Sequence, residues 1–393
     1  MDGKKPGSYV ERVIAVTNVQ ALVRRTHEEH VLAVLRERAG LSRAEIATRV
    51  GLSRTTLSEI TGDLLSRGAI VVVDTDASTR SGSGRRAELL ALDPRSGQYL
   101  GVDLAHTRVR LLVADAAHEV IASGVRSYDA SLPWSERIAQ AIELAESVAL
   151  EQDLHFGALQ GVAVGVAGTD ATAREAAHHA FAEHFGVQVL VDNNTRYAAL
   201  AEAMTRSSTD GAPSELVYLR LSEGVGGGLV VAGRLVSGGL GAAGELGHVQ
   251  VTDGDDARAC RCGRAGCLET VASTRALREA ADERGLEAAL ATAADAVASV
   301  LTTAALILSP ERIVVGGTVV AEHPGLLDAV RRDVTAAFAG VGAVPPVVTA
   351  AVLGDDDGAR GAIAALVQRS PLLAGYPALS ESDDTSEPRS LRA

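Results

Sequence analysis

"YLGVDLAHTRVRLLVADAAHEVIASGV", residues 99–125, decides the architecture. Its apolar runs "YLGVDL" and "VRLLVAD" have strand length and are separated by turn residues. After the turn "AAHE", "VIASGV" reads as a third strand. A helix is expected over about 135–150, followed by a buried strand in the all-apolar "GVAVGVAG", residues 161–168. The order then recurs. "SELVYLRLSEGVGGGLVVAGRLVSGG", residues 214–239, offers strand, glycine turn, strand, tight turn and strand, with a long helical stretch expected over about 273–308. Two such halves predict a duplicated α/β body with a cleft between them.

Composition supports a globular chain. Of 393 residues, 47% are hydrophobic, 22% charged and only 3% aromatic, so the core is built mainly of Ala, Val and Leu. No uninterrupted apolar run reaches the roughly 18 residues of a membrane span. The N-terminal "MDGKKPGSYVERV" has no hydrophobic signal region, which points to the cytoplasm and to no membrane partner. The net charge of −13 is uneven: residues 1–90 carry +3 and the remainder −16. A mildly basic head on an acidic body fits a nucleic-acid module joined to a larger domain. The expected organisation is a flexible segment at 1–26, a DNA-binding head at 27–95, a body at 96–370 and, from the polar, acidic "SESDDTSEPRSLRA", a disordered tail at 371–393.

The head reads as a winged helix-turn-helix. "HEEHVLAVLRERAG" places Val31, Leu32, Val34 and Leu35 on one helical face and stops at Gly40. "SRAE", Ser42 to Glu45, is a capping box that starts a short helix ending at Gly51. Ser53 caps a third helix that turns Leu57, Ile60, Leu64 and Leu65 inward and ends at Gly68. In this motif the third helix enters the major groove with its N-terminal residues at base edges. Arg43, Ser53, Arg54, Thr55, Thr56 and Ser58 are therefore the candidate DNA contacts on the helices. "AIVVV" and "RAELLAL" read as wing strands. The "DTDASTRSGSGRR" between them ends in Arg85 and Arg86, suited to phosphate or minor-groove contact.

"GVDLAHT", "VDNNTRYAALAE", "GGLGAAGELGHVQV", "CRCGRAGCLE", "SPERIVVGGTV" and "LGDDDGARGAI" occur in that order. Over about residues 99–366 the chain resembles the ROK family of repressors, open reading frames and sugar kinases, and the head matches its repressor branch. The resemblance implies an actin-like, hexokinase-type (ribonuclease H-like) ATPase fold with sugar and ATP sites in the cleft. It implies that Asn193, Glu245, His248 and Glu269 face the sugar, and it suggests a homodimer or homotetramer.

All three cysteines lie in "ACRCGRAGC", residues 259–267. An odd number of thiols argues against a disulfide framework. The C-x-C-x4-C spacing supplies three thiolates from Cys260, Cys262 and Cys267, and His248 lies twelve residues upstream. Three sulfurs and an imidazole make a closed tetrahedral zinc site, structural rather than catalytic. All four positions match the family's zinc site, whose histidine also turns a ring nitrogen toward the sugar.

Against a kinase, Asn194 occupies the family's catalytic aspartate position, and an amide is no general base at neutral pH. Ala105 and His106 follow Asp103 where the kinase pattern has glycines, and "SEG" sets Glu223 toward the expected γ-phosphate. The sequence thus reads as a sugar-responsive repressor without kinase activity, Asn194 included among the sugar contacts. Two alternatives stay open: a sugar kinase with a DNA-binding head, and a regulator whose body answers to a protein partner.

Overall fold

Ser42 begins the first completely capped helix. Its Oγ accepts the Glu45 N–H at 3.4 Å, and the Glu45 carboxylate accepts the Ser42 N–H at 2.8 Å. In this computed structural model the described residues are 24, 26–28, 30–36, 38–75, 88–115, 118–168, 170–210 and 215–369. Helix α1 (Arg43–Val50) closes at Gly51 in the left-handed region, φ 69°. Helix α2 (Arg54–Ser66) starts at Ser53, whose Oγ accepts the Thr56 N–H at 3.1 Å.

Leu57, Ile60 and Leu64 are buried against Ile46 and against Val31, Leu32 and Leu35 of the helical residues 30–36. Val34 and Leu65 pack at the edge of that core. Strands β1 (Leu41–Ser42), β2 (Ile70–Thr75) and β3 (Glu88–Leu92) form an antiparallel sheet in the order β1-β3-β2. Among its described residues the head is thus three helices and a three-stranded sheet, of which β2 and β3 are the wing strands. The expected wing tip with Arg85 and Arg86 lies outside the described residues, as do the expected tail and nearly all of the N-terminal segment.

The body is duplicated. Its first half holds β4 (Tyr99–Leu104), β5 (Arg108–Ala114), β6 (Val120–Ser127), α3 (Trp134–Glu151), β7 (Gly161–Val166), α4 (Ala171–Phe185), β8 (Gln188–Asn193) and α5 (Asn194–Asp210). The second holds β9 (Leu216–Leu221), β10 (Val225–Val231), β11 (Arg234–Leu235), the short α6 (Glu269–Ala272), α7 (Thr274–Arg284), α8 (Leu286–Leu308), β12 (Arg312–Gly316), α9 (Thr318–Glu322), α10 (Pro324–Gly340) and β13 (Val347–Ala350). The sheets run β6-β5-β4-β7-β8 and β11-β10-β9-β12-β13. In each, the first three strands are antiparallel and the next two add in parallel. Helix α11 (Asp357–Arg369) returns to pack on β4, β7 and α5, tying the halves together. The architecture is a winged helix-turn-helix followed by an actin-like, hexokinase-type body.

Two details differ from the sequence reading. The helical stretch over 273–308 is broken at Gly285, whose φ of 84° ends α7 and restarts the chain as α8. Helix α8 is also long and apolar enough to cross a membrane by length and composition, although no uninterrupted apolar run suggested it. Here it buries Ala293, Val297, Leu301 and Ala305 in the core of the second half, beside Val217 of β9 and Val330 of α10. An alanine-rich core helix meets the same hydropathy criterion because its composition is apolar, while its small side chains let it pack closely in the core.

Head and body meet through residues 93–98 and 155–160. The Gly97 N–H donates to the His155 carbonyl at 3.0 Å, and the Gln160 N–H donates to the Gln98 carbonyl at 2.7 Å. Ala158 of the body is buried in the head's core. The His155 ring lies against Gly68, just past α2, where a Cβ would sit 2.7 Å from the ring's Cε1. Gly68 also has φ 71°, a region that costs a side chain about 1–2 kcal/mol. Gly68→Ala should therefore lower stability by about 2 kcal/mol or more, read from urea denaturation, whereas Gly62→Ala, in open space on α2, should not destabilise.

Candidate functional site

Parallel pairing places the ends of three strands at one level. Leu104 of β4 pairs with Val166 of β7, and Val166 pairs with Asn193 of β8. The chain leaves these ends as Ala105–His106, Ala167–Gly168 and Asn193–Asn194. Facing them are the β9–β10 turn at Ser222–Gly224 and the Gly316–Gly317 corner after β12. Between the halves lies a cavity of about 520 Å³ lined by all of these segments.

Asn193 Nδ2 donates to the Gly168 carbonyl at 3.1 Å, and its Oδ1 accepts the Thr195 N–H at 2.8 Å. Asn193 thereby caps α5 while lining the cavity. Asn194 is buried, and its Nδ2 donates to Asp103 Oδ1 at 2.8 Å. Burial pushes the Asp103 carboxyl up from its ordinary value, although Arg220 and the Asn194 hydrogen bond oppose this. Asp192, the nearest carboxylate in sequence, lies outside this cavity. It pairs with Arg196 at 3.1 Å and lines a separate groove.

Glu245 and His248 line the cavity from the second half. Burial raises the Glu245 carboxyl, and the neighbouring His248 partly offsets this. His248 Nδ1 lies 3.5 Å from Cys260 Sγ, and Cys262 Sγ lies 3.7 Å from Cys267 Sγ. The four ligand atoms all fall within 4.8 Å of one another. A tetrahedron with Zn–S bonds of about 2.3 Å has edges of about 3.8 Å, so this donor set fits a metal ion. Gly266 is needed locally: its φ is 72°, and any side chain there would strike the Thr252 carbonyl. With Nδ1 turned to the sulfurs, Nε2 is the ring nitrogen left for the cleft.

Glu269 is buried, and its Oε2 already accepts the Val225 N–H at 3.1 Å and Arg261 Nη2 at 2.7 Å. Arg261 Nη1 lies 3.2 Å from His106 Nε2 across the cleft. Burial lowers the His106 pKa and Arg261 adds to the effect, so a neutral His106 accepts this bond. The sequence reading missed Arg261. Its only signal was its place inside C-x-C.

On the head, Ser53, Arg54, Thr55 and Ser58 are exposed on the first turns of α2, and Thr56 is half-buried. Ser53 and Thr56 also share a 2.8 Å hydrogen bond in the cap. Arg43, on α1, is part-exposed and already paired. Its Nη1 pairs with Glu88 at 2.6 Å and its Nε donates to Thr61 Oγ1 at 3.1 Å, so its guanidinium braces the head internally.

The comparisons agree with this construction. The ROK family model matches residues 99–370, and a helix-turn-helix domain model matches residues 30–63. The chain belongs to the ROK family. A putative xylose repressor from Caldicellulosiruptor sp. (strain Rt8B.4) is 29% identical over 275 residues, which are 65% of this chain and 66% of that protein. The match thus spans just under two thirds of that relative's length. The crystal structure of a ROK family transcriptional regulator described as a homologue of the E. coli MLC protein superposes with a TM-score of 0.61 at 19% identity, covering 89% of this chain and 96% of that one. A ROK hexokinase from Thermus thermophilus gives 0.56 at 27% identity, covering 68% and 97%. The ROK body alone thus matches a hexokinase, and the match to the regulator extends over the head.

The His106 contact predicts a pH dependence. Unfolded chains protonate histidine below its ordinary value of about 6.5, whereas folded His106 resists the proton. Its contribution to stability is therefore present above that value and is lost as pH falls through the lowered folded value. His106→Ala should lose less stability than wild type between about pH 7.5 and about pH 5.5, read by urea denaturation at both.

Proposed function

We propose that this protein is a sugar-responsive transcriptional repressor whose body no longer phosphorylates sugar. The observation that carries this reading is Asn194. At the position where the family's kinases have their catalytic aspartate, an amide is held against Asp103, and the nearest carboxylate in sequence, Asp192, lies outside the cavity. General-base catalysis is typically worth 10²–10⁴-fold, so its loss leaves a binding cleft rather than an efficient enzyme. The repressor relative and the exposed first turns of α2 support the DNA-binding half of the reading.

The sugar site is proposed to consist of Asn193, Asn194, Glu245, His248 and Glu269. Amide, carboxylate and imidazole groups suit a polyol, whose hydroxyls both donate and accept. A sugar hydroxyl that takes Glu269 Oε2 competes with Arg261 and the Val225 N–H, whereas Oε1 has, among the described residues, only the Cys260 thiol, at 4.0 Å. The metal is proposed to be a structural zinc on His248, Cys260, Cys262 and Cys267, which would fix the His248 ring for the sugar. The route to the head is short. Strand β7 begins beside the His155–Gln160 docking segment and ends at Val166, two residues before Gly168 in the cleft, a span of about 20 Å. A symmetric operator would pair with a homodimer.

A sugar kinase carrying a DNA-binding head is the second reading. It is favoured by the surviving glycines of the β9–β10 turn and of Gly316–Gly317, and by the likeness of the body to a hexokinase.

Three measurements test the proposal. Freshly purified protein should hold about one zinc per chain, and Cys262→Ser should lower both zinc content and the thermal shift produced by sugar; metal-free protein would refute the zinc assignment. Arg54→Ala should weaken operator binding by about 1–3 kcal/mol, with wild-type affinity in the variant counting against the assigned face. In a coupled assay with xylose, glucose and N-acetylglucosamine, wild type should show no sugar-dependent ATP turnover. Turnover at ordinary kinase rates would move the reading to the second one.

A further inference from the structure

Three consecutive acidic residues, Asp355, Asp356 and Asp357, join β13 to α11, and each takes an arginine from the facing strands. Arg108 of β5 forks onto Asp355 at 2.6 and 2.7 Å, Arg110 of β5 pairs with Asp356, and Arg220 of β9 pairs with Asp357. Arg220 is the innermost. Its side chain is 16% exposed, those of Asp357 and Asp103 are 5% exposed, and its Nη1 lies 3.9 Å from Asp103 Oδ2 at the end of β4. One guanidinium thus stands between a carboxylate of the first half and one on the segment that leaves the second.

The remaining acceptor atoms are nearly all engaged. Asp357 also accepts the Tyr218 hydroxyl at 2.7 Å and the Gly358 N–H at 2.6 Å, and Asp103 accepts Asn194 Nδ2. Gly358 packs so closely on Asp103 that a Cβ there would lie 2.7 Å from its Cγ. Two buried carboxylates held this near each other stay ionised together only with a cation between them; the alternative is a shared proton, because uncompensated buried charge is strongly unfavourable. In phosphate-handling clefts that cation is commonly Mg²⁺ on one or two carboxylates plus substrate phosphates. A guanidinium meets the same need and is never lost to solvent.

We propose that Arg220 is a built-in cation at the cleft floor, holding Asp103 and Asp357 together in the place a divalent ion would otherwise take, so that the two halves are joined without metal or nucleotide. Arg108 and Arg110 extend the clasp toward the rim. Arg220 is a positioning residue. The assignment deepens the non-kinase reading above, and its test contains neither sugar nor nucleotide, so its failure leaves the sugar and DNA assignments standing.

The experiment measures the melting temperature of the full chain in chelator-treated buffer, with and without millimolar Mg²⁺ or Ca²⁺. These hard ions prefer oxygen ligands and leave the thiolate cluster alone. Wild type and Arg220→Lys, which keeps the charge, should not respond. Arg220→Ser should melt lower than wild type and regain part of the loss with either ion, and adding Asp103→Asn should abolish that gain. A folded Arg220→Ser protein indifferent to both ions overturns the proposal. So does a wild-type response that Asp103→Asn removes, or a response in Arg220→Lys. If Arg220→Ser is recovered unfolded, refolding yield is read instead: recovery with Ca²⁺ or Mg²⁺ supports the proposal, and no recovery with either overturns it.

Discussion

The parallel register of β4, β7 and β8 is the constraint on which the cleft depends. Once Leu104 faces Val166 and Val166 faces Asn193, the three strand ends lie at one height and their next residues face one cavity. Ligand sites at the carboxyl ends of parallel strands follow from this geometry, because side chains and backbone there have left the ladder and are available. The second sheet repeats the order with β9, β12 and β13, so the opposite wall is built by the same rule. A one-residue slip in either sheet would turn Asp103 or Arg220 to the other face and dissolve the contacts across the floor.

Several polar groups of this cleft are already paired within the protein. Asn194 holds Asp103, Arg261 holds Glu269 and His106, and Arg220 holds Asp357. A ligand therefore exchanges hydrogen bonds rather than simply adding them, and each exchanged bond is worth only about 0.5–1.5 kcal/mol net. Arg261 and His106 belong to opposite halves, so their contact spans the cleft. Strand β7 starts just after the segment docked on Gly68 and Asp93, so the head contact and the cleft lie at opposite ends of one strand.

The local features of this chain were legible in its sequence. Capping by Ser42 and Ser53, the glycine stops at Gly51 and Gly68, and the strand pattern of both halves rest on interactions within a few residues of each other. The cysteine cluster was legible for the same reason, since Cys260, Cys262 and Cys267 share one short hairpin-like loop. Gly285 shows the limit of such reading. A glycine inside a helical pattern can be tolerated or can end the helix, and φ 84° appears only when packing has chosen.

What the tertiary structure decided lies in pairs far apart along the chain. Asn194 meets Asp103 across 91 residues, Arg261 meets His106 across 155, and Arg220 meets Asp357 across 137. Nothing local selects these partners. Arg43 is a further case, since its ion pair is with Glu88, which arrives from the wing strand 45 residues later. Local hydrogen bonds and hydrophobic periodicity are written in neighbouring residues, so the sequence by itself determined the elements, the duplicated order and the clustering of the cysteines in one loop. Which charges face each other depends on sheet register and on the return of α11 across both halves, and only the assembled fold specifies these.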